Sequence, residues 1–349
     1  MSALTTFPEQ LANSSHRLFE LLASFEQTQV LVIGDLTLDE FLTGQVERIS
    51  REAPVLIIRH EQTRQIPGGG ANAVYNLAKL GARVKVVGLL GKDSQGEALR
   101  DIFAAASIDT QGMIVDAQRT TVTKTRIAGH ARQSVTQQIV RVDRKSDSLP
   151  DVEVQTQLAD YIRTQIATAQ AVVCSDYGEG VFTTPVIETA LSHRLTVVDA
   201  QKDLHRYRGA TIFTPNLPEA EKAVGYGIRD SATLEQAGVD LLDLTQAQCI
   251  LITRGEEGMS LFQRQETTVH SSHIPAFNHT DVFDVTGAGD TVVAALTLSL
   301  CAGASFWEAA VLGNLAASIV VRQFGTATTT VAQMHEALQS LLAGDGGIL

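Results

Sequence analysis

The chain has 349 residues, of which 44% are hydrophobic and 19% charged, and its formal net charge is −12 at pH 7. This length can bury a large core and accommodates one large domain or two ordinary ones. The acidic charge argues against a nucleic-acid-binding protein, because that function needs a basic surface to displace counterions from phosphates. The three cysteines lie far apart without CxxC spacing, so we expect neither a disulfide framework nor a zinc site, and a reducing cytoplasm fits best.

The predicted strands are continuous apolar runs that end in polar residues. The N-terminal segment ahead of them lacks the basic opening and apolar core of a secretory signal, so we expect it to remain on the mature protein. Continuous apolar runs are typical of strands that are buried on both faces of a parallel sheet. They occur at Val30–Asp35, VKVVGLLG, AVVCSDYG, LTVVDA, TIFTPN and CILITRG.

Helical segments separate most of these strands, at Asn72–Leu80, Gln95–Ala106, Thr184–Ser192 and Leu217–Val224. Alternation of strands and helices predicts an α/β fold with a doubly wound, mostly parallel sheet that is flanked by helices. Ligands of such sheets bind beyond the carboxyl ends of the strands. In this chain the polar residues at those ends are Asp35, Asp176, Asp199, Asn216 and Arg254.

Two regions, 41–67 and 112–144, interrupt this alternation. Their segments Phe41–Gln65 and Thr120–Arg144 contain short alternating runs with β-branched and charged residues and no convincing helix. We expect a small antiparallel sheet, inserted into a single domain that spans 1–349 and able to cover the active site as a lid. Four basic residues of the lid would place positive charge over the active site, or, in the alternative, they are ordinary solvated charges on strands. These residues are Lys124, Arg126, Arg141 and Arg144.

The glycine-rich motif PGGGAN precedes a predicted helix. Glycines let a ligand approach the backbone, and a helix N-terminus offers unpaired N–H groups, so Asn72 would cap this helix or bond a sugar hydroxyl. Glycine-rich turns are also common as purely structural features. The sequence contains no G-x-x-x-x-G-K-[ST] motif, which disfavours a P-loop enzyme. It also has no G-x-G-x-x-G motif after the first strand, which disfavours a dinucleotide-dependent oxidoreductase.

The motif DVTGAGD precedes the most apolar part of the chain. Gly287, Ala288 and Gly289 can direct successive N–H groups at one point, which makes a nest for the charge of a phosphoryl group in transfer. Asp290 would then lie beside the nest and accept the proton of an attacking hydroxyl. In the alternative, Asp290 caps the following helix. The motif alone leaves both interpretations open.

The order of the motifs resembles the ribokinase-like (PfkB) family of carbohydrate kinases. The motifs are GDLTLD, PGGGAN, TPNLPE, TRGEEG and DVTGAGD, followed by GNLAASIVVRQFGT, and the resemblance runs from about Val30 to Ala337. It implies a ribokinase-like fold with a β-sheet lid, ATP as co-substrate and Mg²⁺ as cofactor. It also implies that Asp290 is the catalytic base, and that the backbone of Gly287, Ala288, Gly289 and Asp290 forms the anion hole.

The resemblance implies roles for further residues. Sugar hydroxyls would be bound by Asp39, Gly69, Gly70, Asn72 and Asp176. The nucleotide would be bound by Asn216, Glu219, Thr253, Gly255, Gly258 and Asn314. Glu219 would hold Mg²⁺ directly or through water, and in the alternative it is a helix-surface charge. Asp284 and Thr286 would hold a monovalent cation, K⁺.

Within the family, segments such as RISREAPV, VTKTRI and SDYGEGV are most similar to the heptose 7-phosphate kinases. This similarity implies phosphoryl transfer to the anomeric hydroxyl of D-glycero-β-D-manno-heptose 7-phosphate, with Lys124, Arg126 and Arg141 on the distal phosphate. Two departures matter, because heptose kinases usually carry a lysine at the position of Glu179 and a Pro-Lys-Gly-like stretch in place of DAQKDL. The alternatives are a kinase for a different sugar, sugar phosphate or nucleoside, and a catalytically silent sugar- or nucleotide-binding regulator.

The expected partners are the sugar and ATP, without nucleic acid or membrane. The run from Thr291 to Gly313 contains polar residues and Glu308, and we interpret it as buried helices, with a membrane span as the alternative. The family resemblance implies a homodimer formed through the lid. Because no H-x-G-H motif occurs, we expect no nucleotidyltransferase domain.

Overall fold

The computed structural model of the chain describes residues 6–131, 135–266, 268–277, 284–323 and 325–343. Its helices are α1 (Phe7–Ala23), α2 (Gly70–Lys79), α3 (Ser94–Ala105), α4 (Val152–Gln165), α5 (Thr184–Leu191), α6 (Leu217–Val224), α7 (Ser231–Thr245), α8 (Ala288–Cys301), α9 (Phe306–Val320) and α10 (Val331–Ala343). Its strands are β1 (Gln29–Gly34), β2 (Leu36–Ile49), β3 (Leu56–Gly69), β4 (Arg83–Gly91), β5 (Asp109–Asp116), β6 (Val122–His130), β7 (Gln137–Arg144), β8 (Ala171–Asp176), β9 (Thr196–Ala200), β10 (Ile212–Phe213), β11 (Cys249–Thr253), β12 (Met259–Gln265) and β13 (Thr268–Ile274).

The larger sheet has the strand order β13-β12-β11-β10-β9-β8-β1-β4-β5 among the described residues. The seven neighbouring strands β11, β10, β9, β8, β1, β4 and β5 are parallel to one another, and β12 and β13 add an antiparallel edge beside β11. Alternate residues of β1 are buried on opposite faces, Val30 and Val32 on one and Leu31 and Ile33 on the other. The first face is packed mainly by α1, α2, α8, α9 and α10, and the second by α4, α5 and α7. The predicted doubly wound sheet is therefore confirmed.

The run from Thr291 to Gly313 forms the buried parts of α8 and α9, with a turn between them. Its polar residues Thr297 and Ser299 donate hydrogen bonds to helix carbonyls of Val293 and Ala295 (2.7 Å each), which satisfies their hydroxyls inside the core. None of the described helices is long and apolar enough to cross a membrane. The interpretation of this run as buried helices is confirmed.

The smaller sheet has the strand order β3-β2-β6-β7. The β2–β3 and β6–β7 pairs are antiparallel, but β2 and β6 pair in parallel, so the predicted fully antiparallel sheet is wrong. The cause lies in the larger sheet, where β1 and β5 run in the same direction and lead into β2 and β6 at the same edge. Residues 112–116 belong to β5 of the larger sheet, and β2 begins at Leu36, ahead of the predicted region 41–67.

The carboxyl ends of the parallel strands meet at one edge of the larger sheet. Asp35 follows β1, Asp176 ends β8, Asp199 lies near the end of β9 and Thr253 ends β11. The smaller sheet rises from the same edge, because β2 continues from β1 after a single residue. The predicted residues Asn72 and Asp290 lie on α2 and α8, beside this edge.

Candidate active site

Asp290 lies in the first turn of α8 and is 4% exposed. The Asn72 side-chain amide of α2 donates a hydrogen bond to Asp290 Oδ2 (2.8 Å), and the Tyr177 hydroxyl donates one to Oδ1 (3.1 Å). The residue at the cap position of α8 is Gly287, not Asp290. The interpretation of Asp290 as a helix cap is therefore wrong, and its carboxylate is instead held between α2 and the loop that follows β8.

Burial raises the pKa of the Asp290 carboxyl group to about 6. The hydrogen bonds from Asn72 and Tyr177 oppose this shift because they stabilise the carboxylate. Among nearby charges, Asp39 raises the pKa and Lys124 lowers it. A carboxyl group with a pKa near 6 is mostly ionised at neutral pH, yet it accepts a proton more readily than an ordinary aspartate.

The glycine-rich turn at the start of α8 presents backbone N–H groups beside the Asp290 carboxylate. Gly287 has φ of 78°, in the left-handed region that favours glycine, and a Cβ at this position would lie 2.6 Å from Asn72 Nδ2. Within the described residues, the N–H groups of Gly289 and Asp290 have no hydrogen-bond partner, whereas that of Ala288 bonds the carbonyl of Val285 (3.2 Å). Two consecutive free donors beside a carboxylate can bind an anion.

A buried polar network supports the Asn72 side chain. Asn76, one turn further along α2, donates to the carbonyl and the Oδ1 of Asn72 (3.0 and 3.1 Å). The Thr291 hydroxyl of α8 bonds Asn76 Oδ1 (2.9 Å). The network joins α2 to α8 and fixes the amide that contacts Asp290. Gly69 takes φ of 51° at the start of α2, and the Gly70 N–H is already bonded to the carbonyl of Asp35 (3.0 Å).

The smaller sheet brings Asp39, Lys124 and Arg126 to the site. Arg126 Nη1 lies 2.8 Å from Asp39 Oδ1, although neither atom has an aligned hydrogen bond. The Lys124 ammonium lies 5.7 Å from the centre of the Tyr177 ring, and its charge acts on Asp290. A Cβ at Gly68 would lie 2.6 Å from the Asp39 carboxylate, so glycine is required beside it. The sequence interpretation missed Gly68 and Tyr177.

Arg141 of the predicted lid and Glu179 of the loop after β8 both contact residues outside the candidate site. Arg141 lies on the exposed strand β7 and pairs with Asp143 of the same strand (2.8 and 2.9 Å). The Glu179 carboxylate lies 3.9 Å from Lys145 Nζ. The backbone of Glu179 is held on both sides, because its N–H bonds Asp35 Oδ2 (3.0 Å) and its carbonyl accepts from Arg119 (2.7 Å).

The predicted nucleotide residues Asn216 and Glu219 form a capping box at the start of α6. Glu219 N–H bonds Asn216 Oδ1 and Asn216 N–H bonds Glu219 Oε2, at 2.9 Å each. These contacts give both side chains a structural role at the helix end. Burial raises the pKa of Glu219, and its charge acts on Asp199 and Tyr177, so it faces the same region as the candidate base.

The TRGEEG loop lies next to Asn216, which forms a parallel bridge with Thr253. Gly258 has φ of 83°, and a Cβ there would lie 2.1 Å from the carbonyl oxygen of Ile274. Gly255 has φ of 59° with open space around it. Asn314 of α9 donates a hydrogen bond to the carbonyl of Pro275 (2.7 Å), which ties that helix to the chain after β13.

Three aspartates lie at the strand ends, of which Asp35 and Asp176 are buried and Asp199 is partly buried. Burial raises the pKa of Asp35 to about 7, helped by the charge of Asp176, while N–H groups of the loop after β8 oppose the shift. The two carboxylate oxygens of Asp176 accept hydrogen bonds from the Tyr207 hydroxyl (2.6 Å) and the Gly178 N–H (2.8 Å). Burial is also the main cause that raises the pKa of Asp199, and the charges of Asp290 and Glu219 raise it further.

The two residues predicted to hold a monovalent cation lie at the start of the DVTGAGD turn, whose preceding residue Phe283 is outside the described residues. Asp284 accepts hydrogen bonds from the N–H groups of Thr286 and Gly325, at 2.9 Å each. Although burial raises the pKa of Asp284, these bonds and the charge of Arg126 lower it overall. These bonds by themselves hold the two loops together.

Comparisons with known proteins identify the family of this chain. The pfkB family carbohydrate kinase pattern matches residues 27–333. The chain is 41% identical over 321 residues to the bifunctional protein HldE of Desulfatibacillum aliphaticivorans, covering 90% of this chain and 64% of that protein. It is 42% identical over 320 residues to HldE of Geobacter metallireducens, with the same coverage. The chain therefore spans somewhat less than two thirds of the length of these relatives.

Two solved kinase structures have a similar fold. Phosphofructokinase-2 of Escherichia coli, solved with potassium, has a TM-score of 0.71 and 18% identity, covering 90% of this chain and 99% of that one. Ribokinase of Arabidopsis thaliana, solved with ribose and ATP, has a TM-score of 0.67 and 18% identity, covering 90% and 98%. At this identity the similarity shows the ribokinase-like fold.

Proposed function

The chain belongs to the pfkB family of carbohydrate kinases, and we propose that it transfers the γ-phosphoryl group of ATP to the anomeric hydroxyl of D-glycero-β-D-manno-heptose 7-phosphate. Sugar phosphorylation with ATP follows from the family. The choice of heptose is supported by the HldE relatives, which are about 41% identical over most of this chain. The observation that carries the chemistry is the buried carboxylate of Asp290, whose pKa is raised by burial to about 6, beside two backbone N–H groups that have no partner among the described residues.

In the proposed reaction Asp290 accepts the proton of the sugar hydroxyl as its oxygen attacks the γ-phosphorus. Asn72 and Tyr177 hold the carboxylate in position, and their hydrogen bonds keep it ionised at neutral pH. The N–H groups of Gly289 and Asp290 are placed to stabilise negative charge on the phosphoryl oxygens. Most of the rate enhancement then comes from positioning and from preorganised charge.

Magnesium is implied by the family, and the acidic residues near Asp290 fit it. The charge of Glu219 raises the pKa of Asp199, and among the described residues no group of three metal-binding side chains forms a cage of its own. Mg²⁺ is commonly held by one or two carboxylates together with nucleotide phosphates. Bound there, it would neutralise phosphate charge.

The remaining predicted residues are proposed to position the two substrates. The nucleotide would be positioned by Asn216, Thr253, Gly255, Gly258 and Asn314. The sugar would be positioned by Gly69, Gly70 and Asp176.

The position of Glu179 bears on the substrate. Its carboxylate faces Lys145 and its backbone is fixed to Asp35 and Arg119. We propose that Glu179 acts as part of this local ion pair, so that the replacement of the usual lysine does not by itself exclude a phosphorylated sugar. Asp39, with Arg126 beside it, is proposed to bind sugar hydroxyls.

We also propose a dependence on K⁺, through Asp284 and Thr286 next to the anion hole. The motif and the potassium-bound phosphofructokinase-2 neighbour support this role. Activity measured in KCl and in NaCl at equal ionic strength tests it, with at least a several-fold advantage expected in KCl. Equal rates in the two salts would refute a dependence on K⁺.

A homodimer through the smaller sheet is proposed as the assembly. Strand β7 lies at the edge of this sheet and exposes Val140 (46%) and Val142 (44%) on one face, while Ile49 is 63% exposed at the tip of β2. Exposed apolar side chains on an edge strand favour pairing with another copy. Light scattering of the parent and of a Val140→Lys/Val142→Lys variant tests the assembly. The proposal predicts a dimer and a monomer respectively, and a monomeric parent would refute it.

The kinase proposal is tested by ADP release across a panel of sugars and sugar phosphates. Asp290→Asn is expected to lower kcat by about 10²- to 10⁴-fold, the usual contribution of general base catalysis. Asp101→Asn, at an exposed position of α3, is the matched control and should retain the parent rate. Full activity of Asp290→Asn would exclude the base. If no sugar stimulates ADP release, the alternative of a silent binding regulator gains support.

The panel also separates the heptose proposal from its runner-up, a kinase for another sugar, sugar phosphate or nucleoside. Heptose 7-phosphate should give the highest kcat/KM. If a different acceptor is clearly preferred, the heptose proposal fails while the sugar kinase stands.

A further inference from the structure

An open cavity of about 530 Å³ lies between the base of β3, helices α2 and α3, and the loop before α10. Asn72 forms part of its wall and also donates the hydrogen bond to Asp290, so the cavity adjoins the candidate active site. Among the described residues that line this cavity, none is acidic, although the chain carries a net charge of −12. A wall without carboxylates in an acidic protein favours a negatively charged ligand.

Arg64 of β3 supplies positive charge to this cavity. Its guanidinium lies 5.1 Å from the centre of the Phe41 ring, and the Arg126 guanidinium lies 5.2 Å from the same centre. Arg64 and Arg126 are the direct cross-strand neighbours of Phe41, so the three side chains form a row on one face of the smaller sheet. The aromatic ring therefore orients both guanidinium groups.

The contacts of the lid arginines distinguish Arg64 from the others. Arg126 lies beside Asp39 (2.8 Å) and Arg141 is bonded to Asp143 (2.8 and 2.9 Å). Arg64 is exposed, and among the described residues its side chain has no ion pair and no hydrogen bond. Its guanidinium can therefore bind an external anion without breaking an ion pair within the described part of the protein.

The loop before α10 offers a second polar group to the same anion. Thr326 lines the cavity, and its buried hydroxyl oxygen has no hydrogen-bond partner in the part of the chain that the structure describes. Arg64 Nη2 lies 3.3 Å from the place where a Cβ on Gly325 would be, so Arg64 reaches the loop that carries Thr326. A buried hydroxyl without a partner costs free energy unless a ligand or water satisfies it.

We propose that Arg64, assisted by the Thr326 hydroxyl, binds the phosphate group of a phosphorylated acceptor sugar and thereby selects sugar phosphates over free sugars. The inference rests on the proposed function as a sugar kinase and goes beyond it by assigning the distal phosphate to Arg64 and Thr326. The planar guanidinium can donate two parallel hydrogen bonds to a phosphate, and the stacked Phe41 ring fixes its orientation. Sugar hydroxyls remain with Asp39 and the base with Asp290.

The test compares Arg64→Gln, Arg64→Lys and the control Arg59→Gln. Arg59 lies on the same strand and pairs with Glu47 (3.4 Å), so its replacement removes the same charge outside the cavity. KM and kcat are measured for heptose 7-phosphate, for mannose 6-phosphate, for the two unphosphorylated sugars and for ATP. Thermal unfolding of each variant verifies that the exposed substitutions leave the fold intact.

The expected result for Arg64→Gln is a rise of about 10- to 100-fold in KM for the sugar phosphate, the usual effect of losing a charged hydrogen bond. The values for free sugar and ATP should stay within about twofold, since neither contacts Arg64. Arg64→Lys should give an intermediate KM, because the charge remains but the planar donor pair is lost. Thr326→Val should raise the same KM to a smaller extent.

Two results would overturn the inference. One is an Arg64→Gln variant whose KM for the sugar phosphate rises no more than that of Arg59→Gln. The other is a parent enzyme that uses free sugars as well as their phosphates. A different sugar phosphate that is preferred and depends on Arg64 would support the inference and refute only the choice of heptose. The two proposals therefore fail separately.

Discussion

Replacing Tyr177 with phenylalanine tests how the protein sets the pKa of its candidate base. The Tyr177 hydroxyl donates a 3.1 Å hydrogen bond to Asp290 Oδ1, and burial raises the pKa of this tyrosine, so it remains a donor across the working pH range. A hydrogen bond to a charged group contributes about 1.5 to 3 kcal/mol, and one pKa unit corresponds to about 1.4 kcal/mol. The bond is long, so we expect its loss to raise the Asp290 pKa from about 6 to about 7.

The assay is the pH profile of kcat/KM for the best acceptor. A general base must be deprotonated in the free enzyme, so activity falls as pH drops through its pKa. With a shift of about one unit, Tyr177→Phe should retain most of the parent activity near pH 8 and about a fifth of it near pH 6. Tyr226→Phe removes a comparable hydrogen bond (2.7 Å), from the loop between α6 and α7 to Asp240 of α7, and should leave the profile unchanged. An acid limb that stays in place or moves to lower pH in Tyr177→Phe would refute the reasoning.

Three further predictions concern stability and the glycine turns. Because burial raises the folded-state pKa of Asp290 to about 6, ionisation of this carboxyl group lowers the free energy of unfolding as pH rises from about 4 to about 6. In urea unfolding, Asp290→Asn should therefore be more stable than the parent by up to about 3 kcal/mol at pH 8. Near pH 3 the two proteins should be similarly stable. Gly287→Ala should lower stability by about 1 to 2 kcal/mol or more and displace Asn72, whereas Gly289→Ala, with nothing within 4 Å, should change stability by less than about 1 kcal/mol. Gly258→Ala, whose Cβ would lie 2.1 Å from a carbonyl oxygen, should lower the melting temperature and raise the KM for ATP more than Gly255→Ala does. Equal effects within either glycine pair would contradict the geometry.

The large sheet could be predicted from the sequence because its strands are buried on both faces. Residues such as Leu31 and Val32 face opposite layers of helices, so the whole strand is apolar. The helix α6 agrees with its prediction at both ends, since Asn216 marks its start and Gly225 its end. These signals are local and need no knowledge of the partners.

Other features depend on pairing between distant segments. The parallel pairing of β2 with β6 follows from the exit directions of β1 and β5, which a single sequence does not display. The arginine row has the same origin, because Arg64 meets Phe41 only through the register of β2 and β3. The pairing of Arg141 with Asp143 was open to prediction, since residues two apart in a strand share a face. Tyr177 directly follows Asp176 at the end of β8, one of the strand ends at which ligand-binding residues are expected.

The proposed reaction is phosphorylation of the anomeric hydroxyl of a sugar phosphate, with Asp290 as base. Phosphorus NMR of the product formed from heptose 7-phosphate and ATP tests it most directly. We expect a second sugar phosphorus resonance that is coupled to the anomeric proton, with the original phosphate retained, and Asp290→Asn should form this product about 10²- to 10⁴-fold more slowly. A product phosphorylated at another carbon, or ADP formed without a new sugar phosphate, would contradict it.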